Sequence, residues 1–245
     1  MKYFVVALAC ALPTLARPTT EENDIVGGDP AKIEDHPWQV SLRSGRGHFC
    51  GGSIIGPRHV VTASHCIGGG SFEVAVGDSM ASKGTPYKIV KAVQHPKYSR
   101  NTLDYDLAYI EMAQDFTFSA TVKAIPIYSG EWKAGSTVSI TGWGRTGANS
   151  PLSDRLLQVR VPAVDHATCK KAHSNHSVTD RMICAAGEGG KGACMGDSGG
   201  PLTIEGKLAG AVSWGDPCAK QGKPDAFASL LNSELRDWLK KNTGI

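Results

Sequence analysis

Turn residues chop this chain into short apolar runs, and a helical repeat emerges only at its C-terminus. The runs at 38–42, 53–55, 59–62, 72–76, 87–93, 137–141, 156–161, 202–204 and 208–214 are nearly all bounded by Gly, Pro, Asn, Asp or Ser. That rhythm predicts an all-β fold, a sandwich or a barrel, because each run stops before a helix-length segment forms. Near the end, Leu231, Leu235, Trp238 and Leu239 recur at i, i+4, i+7 and i+8. This predicts one α-helix over about 231–241, with Asn232 as N-cap and Lys240 and Lys241 in its last turn. Between Ala120 and Gly135 few strands can be read, and Pro126 and Gly130 punctuate the stretch. The β region therefore divides into halves at about 25–130 and 131–230.

The 26 basic and 23 acidic residues leave a net charge of +3 with no charged stripe or run. Electrostatics thus nominate neither nucleic acid nor a membrane surface as partner. At the N-terminus, Lys2 precedes an apolar run over 3–12, followed by Pro13 and Ala16. Residues 1–16 read as a secretory signal peptide, too short for a membrane span of about 20 residues. The polar stretch 17–24 reads as a removable leader, so the expected location is secreted and extracellular. Of seven Cys, Cys10 leaves with the signal, and Cys50, Cys66, Cys169, Cys184, Cys194 and Cys218 remain. An even number in an exported chain points to disulfides, and the intervals favour local pairs without excluding others. No pair has the close spacing of a metal knuckle, so no metal and no cofactor is expected.

One stretch carries candidate chemistry: Gly196-Asp197-Ser198-Gly199-Gly200-Pro201, where a Ser hydroxyl sits among residues with almost no side-chain bulk. Two others complement it, Thr62-Ala-Ser-His65-Cys66 and Asp104-Tyr-Asp106-Leu-Ala108. In that order, together with Ile25-Val-Gly-Gly, Cys50-Gly-Gly-Ser, Thr141-Gly-Trp-Gly and Ser213-Trp-Gly, the chain resembles the trypsin/chymotrypsin-type serine proteases from Ile25 to the terminal helix. The resemblance implies two six-stranded antiparallel β-barrels with the active site between them. It also implies the disulfides Cys50–Cys66, Cys169–Cys184 and Cys194–Cys218, and a domain spanning 25–245.

The implied chemistry has a physical basis in these residue types. A Ser hydroxyl is a weak nucleophile near neutral pH and needs an adjacent base, and an imidazole can take its proton and return it to the leaving amine. His65 would be that base, Asp106 would orient it, and Ser198 would attack. Asp104 is the rival carboxylate, but Asp106 is followed directly by an apolar residue and Ala, as the family's is. The N–H groups of Gly196 and Ser198 would form the oxyanion hole, where one lost donor costs about 3 kcal/mol of barrier. The other histidines, His36, His48, His59, His95, His166, His173 and His176, read as structural or surface residues.

The family is made as zymogens cut before Ile25, whose new amino group would pair with Asp197. Here Asp24 precedes the cut, so a trypsin-like activator is not expected to make it. The specificity pocket departs from the family pattern as well. Its floor position is Gly192 where basic-specific members carry Asp, and Asp225 stands on the wall where Gly is usual. Ser213 and Gly215 line the same pocket, and 213–215 would pair with substrate as an added strand. The Gly/Asp arrangement resembles arthropod collagenolytic serine proteases and predicts a broad pocket taking Arg or Lys along with other large residues. The stretch 77–83 carries a single acid, Asp78, and does not read as a calcium loop. Asn175-His-Ser177 is a glycosylation sequon. The expected partners are protein or peptide substrates, an activating protease and protein inhibitors, with the enzyme a monomer. The rival reading is a catalytically silent homologue that binds or regulates.

Overall fold

The computed structural model describes residues 26–216 and 218–245. The stretches read as signal peptide (1–16) and leader (17–24), with Ile25, lie outside the described residues. The strands in chain order are β1 (Asp29–Pro30), β2 (Gln39–Ser44), β3 (Gly47–Gly56), β4 (His59–Thr62), β5 (Glu73–Val76), β6 (Thr85–Tyr87), β7 (Ile89–Gln94) and β8 (Ala108–Met112). They continue with β9 (Thr137–Gly142), β10 (Leu157–Val164), β11 (Met182–Ala185), β12 (Pro201–Ile204), β13 (Lys207–Trp214) and β14 (Asp225–Ser229). Two helices join them, α1 (His166–Ala172) and α2 (Ser233–Thr243). No helix among the described residues is long and apolar enough to cross a membrane.

The strands form two antiparallel sheets. The first runs β6-β5-β2-β3-β4-β8-β7. Its two edges are consecutive in the chain: the run 85–94 is broken only at Lys88, and pairs with β5 at one end and β8 at the other. Lys88 still accepts a hydrogen bond from Ala113 N, so the break is a kink in a strand that brings the sheet around. In the second sheet, β9-β10-β11-β14-β13-β12 closes through a further β12–β9 pairing, and the two-residue β1 is added outside on β10.

Each barrel encloses its own apolar cluster, one around Leu42, Ile54, Val60 and Ile110, the other around Ile140, Leu157, Leu202 and Phe227. A third cluster joins them. Ile55, Val61 and Tyr109 from the first barrel meet Leu208, Ala211 and Ala228 from the second, with Leu235 and Leu239 of α2 packed against both. The helix begins where Asn232 accepts a bond from Leu235 N (3.3 Å) and ends at Gly244 with φ 78°. It therefore lies two residues beyond the expected span. The strands β11 and β14 escaped the sequence reading because they are short and buried along their whole length, without polar alternation. Helix α1 escaped because seven residues cannot show a period; Asp165 caps it, accepting from Thr168 N at 2.9 Å.

Between the barrels, backbone meets backbone. Gly51 N donates to Ser198 O at 2.7 Å, and a Cβ on Gly51 would come within 2.8 Å of Gly200 Cα. Gly199 has φ 76°, and a side chain there would overlap Thr62 Oγ1 and lie 2.7 Å from Gly51 O. Gly199→Ala therefore combines a left-handed backbone with an overpacked seam. It is expected to cost about 3 kcal/mol or more, seen as a loss in urea midpoint at unchanged m-value.

Candidate active site

The closely packed seam places one end of each barrel against the other, and the candidate residues gather there. His65 sits in a single 3₁₀ turn, 64–66, directly after β4. Its Nδ1 lies 2.7 Å from Asp106 Oδ2, while its backbone N–H donates to Asp106 Oδ1 at 2.9 Å. Asp106 is 2% exposed, and a third donor reaches it from the second barrel, Ser213 Oγ at 2.6 Å. A buried carboxylate held by three donors has one orientation, and it fixes the imbalance of the imidazole: Nδ1 carries the proton and Nε2 is left as acceptor. The bond from Ser213 was not legible in the sequence, which read that residue as pocket lining. Asp104, the rival, is committed elsewhere, to Arg181 and Thr179. Burial pushes its carboxyl up, but those hydrogen bonds outweigh it and hold the group below its usual range.

Ser198 lies within the glycine-rich turn and lines a cleft of about 210 Å³ with Ala193, Val212, Ser213, Trp214 and Asp225 among its walls. Gly196, at φ 100°, is fixed from both sides. Arg145 N donates to Met195 O at 2.8 Å, which sets the plane of the peptide carrying the Gly196 N–H. His48 Nε2 donates to Gly196 O at 2.9 Å, and its Nδ1 takes the Ser41 hydroxyl at 2.8 Å. Burial lowers the His48 imidazole to about 4, so it stays neutral and keeps that pair of bonds across the working range. The sequence reads His48 as structural or surface, without naming Gly196 as its partner. Among the described residues the N–H groups of Gly196 and Ser198 donate to no internal acceptor, which leaves both for a ligand oxygen.

Asp197 lies beneath the turn with no exposure at all. Its Oδ1 accepts from Gly144 N (2.8 Å) and Oδ2 from Cys194 N (2.9 Å). The carboxylate fills the space where side chains on Gly142 and Gly144 would lie, which accounts for both glycines of Thr-Gly-Trp-Gly. Burial raises it to about 6 against those two bonds. No cation faces it among the described residues. Ile25, its expected partner, lies outside them.

In the cleft, Asp225 is 2% exposed at the start of β14. Its Oδ2 accepts from Ala193 N at 2.7 Å and covers Gly192, while Oδ1 faces Gly215. A side chain on either glycine would overlap the carboxylate, so Gly192, Gly215 and Asp225 form one steric unit. Burial, with Asp197 adding repulsion, raises the Asp225 carboxyl to about 7. The disulfides are Cys50–Cys66 beside His65, Cys194–Cys218 along the cleft wall, and Cys169–Cys184 tying α1 to β11. Cys50, His65 and Cys66 lie close together, but both sulfurs are spent in the disulfide. His173 Nε2 donates to Pro224 O, and the His173 and His176 rings both pack on Trp214. Asn175 is exposed between α1 and β11.

A family model described as Trypsin matches residues 25–239. The chain belongs to the trypsin family. Trypsin 5G1 of Aedes aegypti is 44% identical over 90% of this chain and 85% of its own length. A trypsin of Phaedon cochleariae is 37% identical over 99% of both chains, and Trypsin II-P29 of Gallus gallus 36% over 98% of both. As a trypsin-family member the protein is a serine endopeptidase, a hydrolase that acts on protein substrates. The cleft of this enzyme is lined by a buried carboxylate, Asp225, lying against Gly192.

Proposed function

We propose that this enzyme is a secreted endopeptidase, made as a zymogen, that cleaves peptide bonds through Ser198, His65 and Asp106 by way of an acyl-enzyme. The observation that carries the reading is the two-point hold of Asp106 on His65, through Nδ1 at 2.7 Å and the backbone N–H at 2.9 Å. It leaves Nε2 as the base for Ser198, and the serine proton goes to the leaving amine after attack. The unused N–H groups of Gly196 and Ser198 receive the oxyanion that forms.

Activation before Ile25 fits the burial of Asp197, which no cation faces among the described residues. A new ammonium there would neutralise a carboxylate that burial otherwise raises, and losing one partner of such a pair costs about 3–5 kcal/mol. The pairing would also relieve the repulsion that Asp197 exerts on Asp225. The Asp24–Ile25 bond calls for an activator tolerant of acidic residues. The cleft supports broad primary specificity: an apolar slot walled by Ala193 and Val212, with Asp225 Oδ1 accepting no bond from the described residues and so open to an Arg or Lys side chain. Gly215 and Trp214 offer an edge to the substrate backbone, Asn175 is exposed for a glycan, and the enzyme acts as a monomer subject to protein inhibitors.

The decisive test matures the secreted chain, sequences its N-terminus and labels it with a serine-directed phosphonate. The expected result is a start at Ile25 and stoichiometric label on Ser198. Active protein beginning elsewhere removes the activation reading, and a matured chain that takes no label is a silent homologue.

A further inference from the structure

The backbone just before Asp106 is strained. Leu103 and Tyr105 have φ of 53° and 54°, in the left-handed region that residues with bulky side chains rarely occupy. Such a conformation persists only where surrounding contacts over-determine it. Some are local, Ser99 N donating to Asp104 O and Tyr105 N to Asp104 Oδ1, each at 3.0 Å; the others reach across from the second barrel. Asp104, between the two strained residues, takes Arg181 Nε at 2.8 Å and Thr179 Oγ1 at 2.8 Å on Oδ1, and Arg181 Nη2 at 2.7 Å on Oδ2. The fork is bidentate, which sets orientation as well as distance, and a Lys could not reproduce it. The two side chains are 16% and 21% exposed, so solvent screens them far less than an ordinary surface pair.

Further contacts stiffen the same point. The Arg181 guanidinium lies over the Tyr105 ring, 4.4 Å from its centroid, and that ring also stacks on His95 at 4.7 Å. The Tyr105 hydroxyl donates to Glu234 of α2 at 2.7 Å. Arg181 is itself anchored in the second barrel, its carbonyl accepting from Ser229 N at the end of β14 (2.9 Å). Asp106 is the next residue after Tyr105 and draws its other donor, Ser213, from that same barrel.

We propose that Arg181 is a positioning residue for Asp106: by gripping Asp104 across the barrel interface it holds the strained 103–105 turn and sets where the Asp106 carboxylate meets His65. The proposal rests on Asp106 being the partner of the catalytic imidazole. Loss of the fork lets the turn relax, moves the carboxylate and weakens the stabilisation of the imidazolium. A displacement of this kind, on the order of 1 Å, costs up to about a hundredfold in rate.

The test compares Arg181→Gln, Arg181→Lys and Asp104→Asn with the matured wild-type enzyme, each normalised by active-site titration. The expected result for Arg181→Gln is kcat lower by about tenfold to a hundredfold with KM within about twofold. The acid limb of the pH profile moves to lower pH, and Arg181→Lys recovers only part of the rate. If Arg181→Gln does not fold, Arg181→Lys and Asp104→Asn carry the same comparison. Unchanged kcat per titrated site and an unmoved acid limb, with only a lower Tm, overturn the proposal. Asp106→Asn separates the two layers. Full activity in that variant removes the underlying assignment of Asp106, whereas collapse of Asp106→Asn beside indifferent Arg181 variants removes the clamp alone.

Discussion

Replacing Ser198 by Ala, or His65 by Ala, is expected to lower kcat by about a millionfold while leaving KM nearly unchanged, a magnitude general to Ser-His-Asp hydrolases and not one obtained from this geometry. In the proposed mechanism the residues act as one unit: the hydroxyl has no nucleophilic form without the imidazole, and the imidazole has no proton to move without the hydroxyl. The double variant should therefore lose no more than either single one. What survives is the part of catalysis that needs neither side chain, namely the two free N–H donors at Gly196 and Ser198 and the binding cleft. Single-turnover kinetics on titrated enzyme check this. A kcat within tenfold of wild type for either variant would place the nucleophile or base elsewhere.

The second large effect concerns Asp225 and what the cleft accepts. Asp225→Asn is expected to lower kcat/KM for Arg and Lys substrates by about a thousandfold, since a paired charge at the contact distance of about 4 Å is worth about 4 kcal/mol in a partly shielded site. Substrates with large apolar residues should change by less than about tenfold, because the slot is otherwise lined by Ala193, Val212 and the Cys194–Cys218 disulfide. In wild type the preference should depend on pH. Burial raises the carboxyl from 3.8 to about 7, so the ratio of basic to apolar cleavage rises as pH passes through that value. The groups near it are Asp197, through space, and Asp216 on the cleft wall, which itself faces Lys223 at 3.7 Å. Peptides varied only at the residue before the scissile bond, assayed from pH 5 to 9, read both effects. No turnover of Arg or Lys peptides at any pH would show that the carboxylate blocks them.

The same shift has a stability consequence of fixed sign. The folded-state carboxyl lies above its unfolded value, so between about 4 and 7 the native protein holds a proton that the unfolded chain has released. The free enzyme should therefore lose stability as pH rises through that window. Asp225→Asn should flatten that slope.

Much of this was readable without coordinates because the signals are local. The strand rhythm, the Asn232 cap of α2 and the glycine-rich turn each lie within a few consecutive residues. What was missed shares a different property. Ser213 reaches Asp106 over 107 positions, His48 reaches Gly196 over 148, and Arg181 reaches Asp104 over 77. Each of these side chains is unremarkable in its own neighbourhood, and nothing in its local pattern names a partner. The seam glycines behave likewise: Gly51 and Gly199 are small because the opposite barrel's backbone occupies the place of a side chain.

The sequence by itself determined the class of chemistry, since a Ser among glycines, a His beside a Cys and an Asp before an apolar strand can be listed from the chain alone. It also nominated Gly192 and Asp225 together, which the structure brings side by side at the cleft. Only the tertiary structure decided how those residues are held. Asp106 has one orientation because donors from both barrels converge on it, and Asp225 tolerates its burial because Ala193 N–H meets one oxygen and two absent side chains leave room for the carboxylate. Orientation and desolvation belong to the space between the barrels, and no stretch of chain contains that space.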